Sequence, residues 1–154
     1  MPTRRLTRAS VLFFAALAFA PSALAQALPT PEQYLGFRVG TDKKLATWPQ
    51  VVAYMQMAAR SSDRVRYEEL AKSTMGHPFP LLTISSPANL ARLDDIRSAQ
   101  RQLAYPYSLS SQDAESLIAK NPAVILITLT IHSSEIGSTQ MSLELVHRLA
   151  TEKS

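Results

Sequence analysis

Residues 123–131 read AVILITLTI and run straight into HSSEIGSTQ at 132–140. The first stretch is apolar on both parities and rich in β-branched side chains. That is the pattern of a strand covered on both faces, as in the middle of a mostly parallel sheet. Behind it, Met141, Leu145, Val146 and Leu149 recur at helical spacing, which predicts a helix with those residues on its buried face. A buried strand feeding a helix is half of an α/β unit, and ligands in such sheets gather at the carboxyl ends of the strands. His132 is the first residue past the strand and Glu135 follows three positions later. Side chains three apart on a tight turn or first helical turn point the same way, so the two could hold one metal ion together.

Working backward, Asn121-Pro122 closes a stretch, 87–121, that reads as a helical insert. Ser86-Pro87 starts one helix, with Leu90, Leu93, Ile96 and Leu103 along one side, and Ser110 with Asp113 starts another. Upstream, RVRYEEL (64–70) alternates Val65 and Tyr67 with charged neighbours, as a half-buried strand does. The return strand FPLLTISS (79–86) carries Pro80 near its start, which places that end at an edge. Between them KSTMGHP supplies a turn, with Gly76 free to take a positive φ. Before the hairpin, Thr47 and Gln50 form a capping-box pattern, Pro49 is tolerated in the first turn, and Val51, Tyr54, Met55 and Ala58 follow at helical spacing. Residues 26–46, with two prolines and two glycines, read as a mostly extended lead-in. The order helix, strand, strand, helical insert, buried strand, helix predicts an α/β fold with helices around a mixed, largely parallel sheet.

The first 25 residues read as a signal peptide. Arg4, Arg5 and Arg8 precede the short apolar core VLFFAALAFA (11–20), and Ala23-Leu24-Ala25 is a small-x-small cleavage signal before Gln26. The expectation is export to a periplasm or the medium, with no membrane anchor after cleavage. Of 16 basic side chains three lie in this leader, which leaves 13 against 12 acidic ones. Such a balance offers no basic stripe for nucleic acid. The 154 residues, 46% hydrophobic and 18% charged, describe one globular domain. Cysteine is absent, so a metal here must be held by His, Asp or Glu.

The stretch AVILITLTIHSSEIGSTQMSLELVHRL (123–149) resembles the zinc carboxypeptidases of the carboxypeptidase A type, where a hydrophobic strand runs into His-x-x-Glu and then a helix. WPQVVAYMQMAA is similar to that family's first helix. The hairpin resembles the one in which a Gly-Arg-Pro-like turn separates two strands, here Gly76-His77-Pro78. Ala71 departs from the pattern, standing where the family tends to have glycine. The likeness covers roughly 41–154 apart from 87–121, making 47–154 the N-terminal part of a zinc carboxypeptidase-like domain. It implies zinc as cofactor, His132 and Glu135 as the first two ligands, and peptide or protein C-termini as substrate. It also implies that a third histidine ligand, a glutamate base and substrate-gripping arginines lie beyond Ser154. On that ground the chain reads as a fragment inactive alone. Two other readings stay open: a related zinc deacylase of acyl-amino acids, and an exported non-catalytic binding module. His77 and His147 read as a turn residue and a helix residue, Trp48 and Tyr54 as packing. Tyr105 and Tyr107 could touch substrate or fill a loop. Ser133 and Ser134 lack the Asp–His support of a nucleophile.

Overall fold

The computed structural model describes residues 27–152; the signal-peptide reading of 1–25 lies outside them. Its order is α1 (Pro31–Leu35), α2 (Trp48–Ser61), β1 (Val65–Lys72), β2 (Pro78–Ile84), α3 (Pro87–Ala91), α4 (Leu93–Ala104), α5 (Ser111–Lys120) and α6 (Ile136–Thr151). The fold is mixed α/β. None of the described helices is long and apolar enough to cross a membrane.

The lead-in is not merely extended. Thr30 caps α1 by accepting from the Gln33 N–H at 3.2 Å, while Gln33 Oε1 accepts from the Thr30 N–H at 2.9 Å. Pro31 sits in the first turn, where no donor is missed, and Gly36 closes the helix at φ +75°. At α2 the Gln50 side chain reaches back as expected, accepting from the Thr47 N–H at 2.9 Å. Val51, Tyr54, Met55 and Ala58 are buried along the inner face of this helix.

The hairpin forms where the alternation placed it, with Val65 opposite Ile84 and Tyr67 opposite Leu82. Its turn is closed by the Ser73 N–H donating to the His77 carbonyl at 2.8 Å, with Gly76 at φ +78°. A register irregularity between Glu69 and Ala71 falls beside Pro80, whose ring nitrogen has no proton for the ladder. Trp48 donates its indole N–H to the Pro78 carbonyl at 3.2 Å, pinning the start of α2 to the start of β2.

The core lies where α2, β1 and α6 meet: Val51, Tyr54, Met55 and Ala58 against Val65, Leu143, Val146 and Ala150, with Leu28 and Ala46 from the lead-in. The buried face of α6 keeps the expected Val146 but is otherwise rotated from the expected one. Met141 and Leu149 are each 42% exposed, whereas Gln140 is buried. Gln140 earns that place through its amide, which accepts from the Ala46 N–H at 2.7 Å and donates to the Ala46 carbonyl at 3.1 Å. The helices expected in 87–121 are present, with Leu90, Ile96 and Ala99 buried. Arg92 ties them together, donating to Asn121 Oδ1 at 3.3 Å and the Lys120 carbonyl at 3.2 Å.

The expectation for 123–131 fails. Among the described residues β1 and β2 form a two-stranded antiparallel sheet, and no largely parallel sheet is built. Residues 123–131 join no ladder, and Ile125, Leu126 and Ile131 are 81%, 76% and 88% exposed. The local pattern demands two strand neighbours and two covering faces, and no described strand lies beside it.

Candidate metal centre

The chain leaves residues 123–129 and turns at Thr130, whose φ is +65°. That left-handed conformation is unusual for a β-branched residue and costs on the order of 1–3 kcal/mol. Hydrogen bonds offset the strain. Thr130 Oγ1 donates to the Glu135 carbonyl at 3.0 Å and lies 2.7 Å from Ser138 Oγ and 2.6 Å from Thr139 Oγ1. The loop is closed a second time by the Glu135 N–H donating to the His132 carbonyl at 3.0 Å. Glu135 then occupies the N-cap position of α6.

Within this loop His132 and Glu135 come together as the spacing predicts. His132 Nδ1 lies 2.7 Å from Glu135 Oε1. The other carboxylate oxygen, Oε2, accepts from the Ile131 and His132 backbone N–H groups, both at 3.1 Å. These contacts hold the Glu135 carboxyl below its ordinary pKa: the His132 side chain contributes most, then the two amides, and each favours the charged form. Both side chains are open to solvent, 72% and 50% exposed.

The pair suits a divalent metal in kind, since imidazole nitrogen and carboxylate oxygen are zinc's usual non-thiolate donors. Two donors on one tetrahedral zinc, each bonded at about 2.0–2.1 Å, stand about 3.3 Å apart. The pair need open by only about 0.6 Å, and the proton between the two atoms must leave. No third His, Asp or Glu among the described residues completes a metal-capable group. His77 lies in the hairpin turn and His147 on α6. Tyr105 and Tyr107 are 68% and 96% exposed, and Tyr54 is fully buried with its hydroxyl on the Pro29 carbonyl at 2.7 Å. Sequence reasoning missed Thr130 and Gln140. Neither carries a local signal: Thr130 meets Ser138 and Thr139 only through its left-handed backbone, and Gln140 meets Ala46 across 94 residues.

A paired histidine and glutamate at the mouth of a helix is the donor set on which metal-dependent hydrolases draw. Residues 51–154, about two-thirds of the chain, match the family model of the zinc carboxypeptidases, peptidase M14. The chain belongs to that family. No curated protein and no solved structure matches it.

Proposed function

We propose that the protein is exported and that His132 and Glu135 are zinc ligands in a carboxypeptidase-type site that removes C-terminal residues from peptides or proteins. The observation that carries this is the 2.7 Å approach of His132 Nδ1 to Glu135 Oε1 inside the stretch matched by the family. A zinc held by His132 and Glu135 would supply Lewis acidity toward water and a scissile carbonyl. The chain's own part is to present the donors. The Ile131 and His132 amides hold Oε2 of Glu135, which leaves Oε1, beside the imidazole, as the oxygen that would face a metal. The open setting of the pair leaves room for a peptide's terminal carboxylate to approach. A third donor and a general base must complete the chemistry, and the described residues bring neither to the pair. The 154-residue chain alone is accordingly proposed to bind zinc and hydrolyse nothing.

Competition of zinc between a chromophoric chelator and the purified chain tests the ligand assignment. The account expects one zinc per chain, with binding weakened at least about tenfold in both His132→Ala and Glu135→Ala. Equal binding by all three proteins sinks it and favours a non-catalytic module. The proposed export is read separately, from the N-terminal residue of secreted material, expected at Gln26; retention of residues 1–25 would overturn it.

A further inference from the structure

We propose that Thr130 is the positioning residue of the metal pair, acting through its side-chain hydroxyl; the metal half of this inference rests on the ligand assignment above. Thr130 and Glu135 stand five positions apart, and the loop from one to the other carries both donors. Three contacts converge on one oxygen at its closure: the Glu135 carbonyl at 3.0 Å, Ser138 Oγ at 2.7 Å and Thr139 Oγ1 at 2.6 Å. A hydroxyl has one proton and two lone pairs. With its proton on the Glu135 carbonyl, Thr130 accepts from both Ser138 and Thr139, and its capacity is filled.

The consequence is geometric. The first turn of α6 is tied to the residue that ends the preceding segment, so the Ile131 and His132 amides are aimed inward at Glu135 Oε2. Apart from this tie, residues 131–134 are held to the start of α6 through Glu135 itself: its N–H on the His132 carbonyl, and its carboxylate on the Ile131 and His132 amides and the His132 ring. Thr130 is the tie that leaves the Glu135 carboxylate free of the task of closing the loop. A left-handed φ of +65° at a β-branched residue is the backbone conformation that lets the hydroxyl fold back over the helix start. Valine at 130 keeps the shape and the branching but has no hydroxyl, and serine keeps the hydroxyl without the methyl.

Two readouts on the full chain decide the matter. The first is zinc affinity, by competition with a chelator, in Thr130→Val and Thr130→Ser. Thr130→Val is expected to weaken zinc about tenfold, the scale of an outer-sphere partner, and Thr130→Ser to stay within about twofold of the parent. The second needs no metal: the amide proton shifts and hydrogen-exchange protection of Ile131 and His132 by NMR. In Thr130→Val both amides should lose their carboxylate-bonded shifts and protection while the α2 and α6 core amides keep theirs; Thr130→Ser should restore both. If the amides respond this way but the parent binds no zinc, the positioning role stands and the ligand assignment falls. If Thr130→Val leaves the amides unchanged, or Thr130→Ser disturbs them equally, the proposal is overturned. A global loss of core protection in Thr130→Val with serine rescue absent also overturns it, since Thr130 would then be a general stability residue.

Discussion

Replacing Gln140 by alanine should destabilise the protein far more than truncating the adjacent, half-exposed Met141 on α6. The Gln140 amide makes two hydrogen bonds to the Ala46 backbone, at 2.7 and 3.1 Å, across 94 residues of sequence. Both residues are buried, 8% and 7% exposed. Truncation removes two bonds, each worth about 0.5–1.5 kcal/mol net, and strands a donor and an acceptor on a buried backbone. Together these give about 3 kcal/mol, a large share of an ordinary domain's stability. For a chain of this size that is a fall of about 10 °C in Tm. The assay is thermal and urea unfolding followed by circular dichroism, with Met141→Ala as the companion, since Met141 is 42% exposed. The neighbour should change stability by less than about 0.5 kcal/mol. A Gln140→Ala shift under about 2 °C, or a larger effect from Met141→Ala, would refute the reasoning and restore the face of α6 that periodicity alone predicts.

Tyr54→Phe removes the hydrogen bond to the Pro29 carbonyl and should cost about 1 kcal/mol at neutral pH. Burial, and secondarily the charge of Glu144, raises the Tyr54 pKa. Its folded pKa therefore exceeds the unfolded one, and the stability this contributes is complete below about pH 10 and lost as pH climbs above it. Urea unfolding across the alkaline range should show a shallower decline in the phenylalanine variant; parallel curves would count against the buried phenol. Ile125, 81% exposed in an unpaired, uncharged β-branched run, should accept aspartate with less than about 0.5 kcal/mol change in stability while light scattering shows less self-association. A cooperative loss of folding in Ile125→Asp would instead mean that the segment is buried.

The legible parts of the fold were those set by neighbours in sequence. Thr47 with Gln50 starts α2, the alternation around Val65 and Tyr67 makes β1, and Ser110 with Asp113 starts α5, because caps and turns are satisfied within a few residues. Thr30-Pro31 with Gln33 carried the same signature, but the surrounding prolines and glycines argued for an extended lead-in and hid a five-residue helix. On α6 two apolar stripes compete, Met141–Leu145–Leu149 and Leu143–Val146–Ala150, and only packing against α2 selects the second. The stretch 123–131 has the propensity of a buried strand, yet burial and pairing depend on partners distant in sequence. The His132–Glu135 approach was readable from spacing alone. The Thr130 tie was not, since a β-branched residue gives no hint of a left-handed backbone.

The central claim is that these two side chains hold the metal, and zinc-edge X-ray absorption on the stoichiometrically loaded chain tests it most directly. The account predicts one imidazole in the zinc shell, with nitrogen and oxygen donors at about 2.0–2.2 Å, and loss of the imidazole signal in His132→Ala although His77 and His147 remain. A shell without imidazole, or one unchanged in His132→Ala, would contradict it.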